Sequence, residues 1–97
     1  MIPDDQTVAI PELVEFITIV VGKMFPEYEC SFQDSVDDYT ACLCNQYYGG
    51  DYITFEQSRA DLLKLIRIYM NFCPGLDELD DVQRDKLFVE RMNSLDL

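Results

Sequence analysis

The chain of 97 residues contains no histidine. That absence removes the side chain that most often serves as general base, proton shuttle and metal ligand near neutral pH. Positive charge is scarce too: seven Lys plus Arg stand against nineteen Asp plus Glu, a formal net charge of −12. Such a surface repels phosphates and anionic lipid, so a partner selected by charge is a basic one. No apolar run approaches the roughly 20 residues that span a bilayer. The longest, Phe16-Ile17-Thr18-Ile19-Val20-Val21, stops at Gly22-Lys23. The opening Met1-Ile2-Pro3-Asp4-Asp5 puts acids where an export signal carries Lys or Arg. A cytoplasmic chain that touches neither nucleic acid nor membrane directly is therefore expected.

Chemical motifs are missing as well. No spacing of carboxylates fixes an acid and base pair, and no nucleophile constellation is present, so no enzymatic activity is expected. Asp77-Glu78-Leu79-Asp80-Asp81 lacks the alternating oxygen ligands, the central Gly and the closing Glu of a calcium loop. Tyr48-Gly49-Gly50-Asp51 lacks the Gly-x4-Gly-Lys pattern, and its neighbouring acids repel phosphate. Cys30, Cys42, Cys44 and Cys73 permit three disulfide pairings. Only Cys42 and Cys44 are close in sequence, whereas a four-cysteine zinc site uses two close pairs. Two residues apart on a helix point in different directions, so even this pair makes a poor chelate or local disulfide. Free thiols, no metal and no cofactor follow for a reducing compartment.

What the chain does have is apolar mass: 48% hydrophobic and 12% aromatic residues suffice for one core, and residues 1–97 read as a single small acidic domain. Pro11 at a first helical position, Glu12 and Glu15 behind it and Gly22 near the end predict a helix over residues 11–24. Its β-branched run over residues 16–21 would also suit a buried strand. Pro26 breaks the pattern, leaving residues 25–33 as loop. Ser35 and Asp38 look like a capped start, and Val36, Tyr39, Leu43 and Tyr47 recur at helical spacing to predict a helix over 35–47. Gly49-Gly50 ends it. Thr54-Phe55-Glu56-Gln57 caps a third helix whose apolar face is Phe55, Leu62, Ile66, Tyr69 and Cys73. Cys73-Pro74-Gly75 closes that helix. A fourth starts in the acids at 77–81 and runs to about Asn93 through Val82, Val89 and Met92. The expected fold is all-α, about four helices in a compact bundle, with room for a minor short β element near residues 25–33 or 48–53.

Charge is polarised along the sequence. Residues 1–58 hold eleven acids and one base, Lys23, while residues 59–97 hold eight acids and six bases. Between Phe25 and Ser58 lie Glu27, Glu29, Asp34, Asp37, Asp38, Asp51 and Glu56 with no base, together with eight of the twelve aromatic residues. Helix capping and solubility explain some of these acids, but a net charge magnitude of about 2 to 8 already keeps a small domain soluble. The excess points to electrostatic steering toward a cationic partner. Tyrosines rimmed by carboxylates suit an Arg- and Lys-rich surface. Tyr39 and Tyr47 fall on the apolar face of the second helix and belong to the core. The candidate partner-binding residues are thus Asp34, Asp37, Asp38, Tyr48, Asp51, Tyr52 and Glu56.

In size and charge only, the chain resembles the small acidic proteins that neutralise basic nucleic-acid-handling proteins, among them toxin immunity proteins and phage-encoded DNA mimics. That likeness implies an inhibitor that occludes the cationic surface of a nuclease or another nucleic-acid-binding protein. Carboxylates three or four apart on a helix lie about 5 to 6 Å from one another, near a phosphate spacing. The alternative is a helical assembly or adaptor subunit in which the apolar face of the first helix mediates homo-oligomerisation. For the cysteines the expected outcome is simple: all four thiols alkylate in denaturant without reductant, and a chelator leaves the helical circular dichroism signal unchanged. Fewer than four alkylated sites, counted by mass, would show a disulfide.

Overall fold

Pro11 fixes where the first helix begins. It needs no backbone donor, so it sits without cost in the first turn of α1, Ile10–Met24, with Glu12 beside it. Ala9 offers no side-chain cap. The free amide of Ile10 instead donates to the carbonyl of Asp51 at 2.8 Å, so a distant turn caps this helix. The computed structural model describes residues 6–28, 30 and 32–94. The β-branched run is helical: Ile10, Leu13, Val14, Ile17, Val20, Val21 and Met24 are buried, a three-and-four spacing that a strand cannot produce.

Ahead of α1 the chain is extended. Strand β1, Thr7–Ala9, pairs antiparallel with β2, Tyr52–Thr54, in the register Thr7 with Thr54, Val8 with Ile53 and Ala9 with Tyr52. The minor β element expected near 48–53 is therefore present at Tyr52–Thr54. Its partner strand was not foreseen, and none forms in 25–33 among the described residues, which omit 29 and 31.

Helix α2, Gln33–Cys42, starts two residues earlier than its sequence suggested. Phe32 holds the cap position with no side-chain bond, and Ser35 lies buried within the first turn, on the same inner face as Tyr39. Ser35 and Asp38 therefore do not form the expected cap. Over Leu43–Tyr47 the helix widens into a π-helical turn, closed by the Tyr48 amide donating to the Leu43 carbonyl at 2.9 Å. Gly49, at φ +67°, ends it in a conformation that favours glycine.

Helix α3, Phe55–Met70, starts as its sequence predicts, with Thr54 Oγ1 accepting from the Gln57 amide at 3.0 Å. It ends three residues before Cys73, which closes a following turn onto Met70. Gly75 is required there: φ is +89°, and a Cβ would stand 2.8 Å from the Tyr28 ring.

Helix α4, Asp81–Ser94, begins later than residue 77, because Asp80 is the residue that caps it, accepting from the Gln83 amide at 2.7 Å. The expected apolar face is also corrected. Val82 (77% exposed) and Val89 face solvent, Phe88 is the buried residue, and of the expected face only Met92 packs against the core. A helix this polar is held down by arginines. Arg91 donates to the Met24 carbonyl and to Glu27, each at 2.7 Å, Arg67 pairs with Asp85 and lies over the Phe88 ring, and Arg84 bonds Asn71 and Asp81.

The chain is thus mostly helical, four helices around one core plus a two-stranded antiparallel sheet. No helix among the described residues is long and apolar enough to cross a membrane. Helix α1 packs on both α2 and α3, and α2 is joined to α3 by two tyrosines. Tyr39 and Tyr69 stack with ring centroids 4.7 Å apart at 9°. Tyr39 donates to the Leu65 carbonyl at 2.7 Å and Tyr69 to the Cys30 carbonyl.

Burial holds the phenols of Tyr39, Tyr48 and Tyr69 above their ordinary 10.0, so the unfolded chain loses those protons first. The stability this represents is fully present below about pH 10 and declines as the pH rises past it. Denaturant midpoints measured across that range, with tyrosinate absorbance recorded in parallel, should fall together with the appearance of tyrosinate. Tyr39→Phe should lower stability by about 1 kcal/mol at neutral pH through loss of the buried bond.

Candidate protein-binding face

The inward position of Tyr39 orients α2. With Ser35, Tyr39 and Leu43 buried, Asp34, Asp37 and Asp38 stand exposed on the opposite side. Gln33 Nε2 donates to Asp37 Oδ1 at 2.9 Å, and no cation pairs with any of the three among the described residues. The three ion pairs there all involve α3 and α4 arginines: Arg67 with Asp85, Arg84 with Asp81 and Arg91 with Glu27. The cleft between α3 and α4, lined by Lys64, Arg67, Arg84, Asp81 and Asp85, pairs both of its carboxylates with arginines and keeps the Lys64 charge over.

The outer side of α1 continues the acidic face. Glu12, Glu15, Phe16, Ile19 and Lys23 are exposed there, and the two apolar members are large: Phe16 is 50% and Ile19 53% exposed. Between α1 and α2 runs a groove of about 610 Å³ lined by Pro11, Val14, Glu15, Thr18, Ile19, Gln33, Val36, Asp37, Thr40 and Ala41. Its two walls each carry a carboxylate, Glu15 on α1 and Asp37 on α2, and no cation lines it. Thr18 donates to the Val14 carbonyl at 2.7 Å and Thr40 to the Val36 carbonyl at 2.8 Å. Both hydroxyls are therefore satisfied within their own helices, and apart from Gln33, which bonds Asp37, the rest of the lining between the carboxylates is apolar.

The remaining candidate residues divide. Asp51 and Tyr52 lie at the Pro11 end of this groove, because the Asp51 carbonyl caps Ile10 and Tyr52 pairs with Ala9. Asp51 also helps raise the Cys44 thiol, after burial, so the turn packs on the residues that follow α2. Tyr52 is 66% exposed. Glu56 sits beyond Thr54, which pairs with Thr7 at the opposite end of the ribbon; it is exposed, but it is not part of the groove. Glu29, part of the acidic stretch, lies outside the described residues.

Tyr48 has a different setting from Tyr52. Its ring packs edge-on against Tyr47, and its hydroxyl donates to Asp61 Oδ2 at 2.8 Å, where Gln57 Nε2 donates at 2.7 Å. Tyr47 packs against the core, as its helical position implied, with the Lys64 ammonium over its ring. Cys30, Cys42, Cys44 and Cys73 are free thiols, and the buried Cys73 is pushed up by its hydrogen bond to Cys30 and by burial. Among the described residues no three His, Cys, Asp or Glu side chains gather to hold a metal ion.

No protein-family model, curated protein or solved structure matches the chain. The site therefore rests on its own geometry. Sequence reasoning missed Glu15 and Ile19, which the groove adds to the face. Their signal was present: Glu12, Glu15, Phe16, Ile19 and Lys23 recur at three-and-four spacing opposite the apolar stripe of α1.

The hydrogen bonds from Gln57 and Tyr48 hold the Asp61 carboxyl below its ordinary 3.8. Tyr48→Phe should move that carboxyl back up, seen in the carbon chemical shift of Asp61 during an acid titration. The stability linked to Asp61 is present above about pH 4 and lost as the pH falls through its depressed value, so the variant should also lose less stability on acidification.

Proposed function

We propose that this protein is a cytoplasmic acidic binding protein that inhibits a basic nucleic-acid-handling protein, such as a nuclease toxin or another nucleic-acid-binding protein, by covering its cationic surface. One observation carries the reading: Asp34, Asp37 and Asp38 share the solvent face of α2 with no cation paired to them among the described residues, while Arg67, Arg84 and Arg91 pair elsewhere. Like charges three and four apart repel in the free protein and gain only when a partner supplies counter-charge. Solubility requires no such concentration on one helix face.

The mechanism is occlusion. Carboxylates about 5 to 6 Å apart along α2 occupy the cation positions that phosphates would otherwise fill. Long-range attraction speeds encounter, and contact at Tyr52 and the α1–α2 face extends the life of the complex. Tyr48 is a support for the turn in this reading, since its hydroxyl is already occupied by Asp61. The function is binding, not catalysis, and needs no cofactor. The alternative of an assembly subunit joined through the apolar face of α1 has less support, because Leu13, Val14, Ile17, Val20 and Val21 of that face are buried in the protein's own core.

The test is affinity capture from the native host, mass identification of the bound protein, and a binding-rate series over several salt concentrations. Replacing Asp34, Asp37 and Asp38 together by Asn should slow association about tenfold or more at low salt and flatten its salt dependence, with thermal stability unchanged or raised. Tyr52→Ala should act on dissociation instead, by about 2 kcal/mol if it is a central anchor. An association rate indifferent to the three replacements would reject the reading in favour of apolar assembly.

A further inference from the structure

The geometry points to the α1–α2 groove as the docking site for a basic amphipathic helix of the partner, one that seats apolar side chains on the groove floor and sets Lys or Arg against its two acidic walls. This deepens the proposed function and rests on it: the partner is the basic protein already inferred, and the groove specifies how part of it is recognised.

Four observations select that occupant. Pro11, Val14, Ile19, Val36 and Ala41 line the groove between Glu15 and Asp37, both threonine hydroxyls already donate to backbone carbonyls, and the one other polar side chain, Gln33, donates to Asp37 at 2.9 Å. Apolar side chains entering there strand no polar partner. Secondly, both walls carry a carboxylate and neither a cation, so the flanks of the occupant are positive. That excludes a second copy of this chain, which brings −12 of its own. Thirdly, both walls are helices whose backbone groups are internally bonded. An extended peptide would find no free sheet edge to pair with, whereas a helix satisfies its own backbone before it arrives. Finally, Pro11 and Ile19 lie eight residues apart on α1, a run of about 12 Å, the length of two helical turns. Two turns present apolar side chains at i, i+3, i+4 and i+7 on one face.

The groove between α1 and α3 makes a useful contrast. It is smaller, about 320 Å³, and apolar around Val8, Leu13, Phe16, Phe55 and Leu62, but Glu12 and Arg59 bring opposite charges to its rim. Charge therefore selects no occupant for it.

The probe is a side-chain-stapled helical peptide about three turns long, with leucines at i, i+4 and i+7 and lysines on either side. A scrambled peptide of the same composition and staple keeps the charge and loses the ridge. Binding is followed by fluorescence anisotropy against the intact protein. Two groove variants avoid the core: Ala41→Trp fills the groove from an exposed position, and Ile19→Ser removes its exposed apolar side chain. Far-ultraviolet circular dichroism identical to that of the parent confirms their fold. The patterned peptide should bind about tenfold or more tightly than the scrambled one, and each variant should erase that difference.

Equal binding of both peptides, or an unchanged preference in both folded variants, overturns the groove. The combined replacement of Asp34, Asp37 and Asp38 by Asn separates the two levels. If it weakens both peptides while the groove variants weaken neither, the basic partner stands and the groove falls. If neither peptide binds the parent and the captured partner shows no salt dependence, both fall.

Discussion

Two tyrosines set the geometry on which the rest depends. Tyr39 and Tyr69 are fully buried, stacked on each other, and each hydroxyl is spent on a backbone carbonyl of another element, Leu65 in α3 for Tyr39 and Cys30 in the connection after α1 for Tyr69. A buried phenol left without a partner costs more than its bond contributes when made, so the pair locks α2 to α3 in a single rotation. Rotation is what matters for function. At 100° per residue, Asp34, Asp37 and Asp38 lie about 140°, 160° and 100° around α2 from Tyr39, so seating the tyrosine turns all three acids outward. The acidic face follows from the core: no alternative rotation of α2 buries Tyr39 and keeps the acids from water.

The distribution of positive charge completes the argument. Helix α4 has one fully buried side chain, Phe88, with Leu87 and Met92 half-buried beside it, and polar contacts add to this small apolar seam. Arg91 reaches across to the end of α1, Arg67 lies on Phe88 and pairs with Asp85, and Arg84 ties the helix start to Asn71. These arginines are occupied in attaching α4. Exposed pairs are each worth little, about 0 to 1 kcal/mol, but Arg91 also covers the Phe25 ring and caps an otherwise open helix carbonyl. With those three arginines placed there, the α1–α2 groove is lined by acids and no cation. Three of the seven bases are thus committed to attaching α4, which leaves fewer to offset the acids of the other half of the molecule.

How far the sequence could be read depended on the range of the interactions. Local signals were legible: Pro11 and Thr54 start helices where they should, Tyr39 is core, and the β-branched run of α1 is helical because its buried positions follow the helical period. Signals that needed a distant partner were not. Strand β1 exists because Thr7–Ala9 meets Tyr52–Thr54 more than forty residues later, and the cap of α1 is the Asp51 carbonyl, which no local pattern announces. In α4, Val82 and Val89 repeat every seven residues and imitate an apolar stripe, yet Phe88, one position away, buries more surface and sets the rotation. The three acids of α2 were legible by the same periodicity that placed Tyr39. The bond from the Tyr48 hydroxyl to Asp61 was not, since it depends on the π-helical turn. The groove needed both helices to be in place before Glu15 and Asp37 could be seen as its walls.

The face combines two forces that answer to different conditions, and each covers what the other lacks. Coulomb attraction acts over roughly 8 Å at physiological ionic strength, so it governs encounter and orientation but is weakened by salt. In the proposed complex, burial of Ile19, Val36 and Ala41 would act only on contact, be indifferent to salt, and govern how long the complex lasts. A surface with acids alone would bind any polycation briefly, and an apolar groove alone would invite self-association through Ile19 and Phe16. Carboxylates on both walls of an apolar groove suppress the second outcome, because a second copy brings its own acids into a poorly solvated contact. The same carboxylates are an attraction for a cationic partner. In the proposed complex the sign of the charge would work against the protein's own copies, and the shape of the groove would select among basic partners.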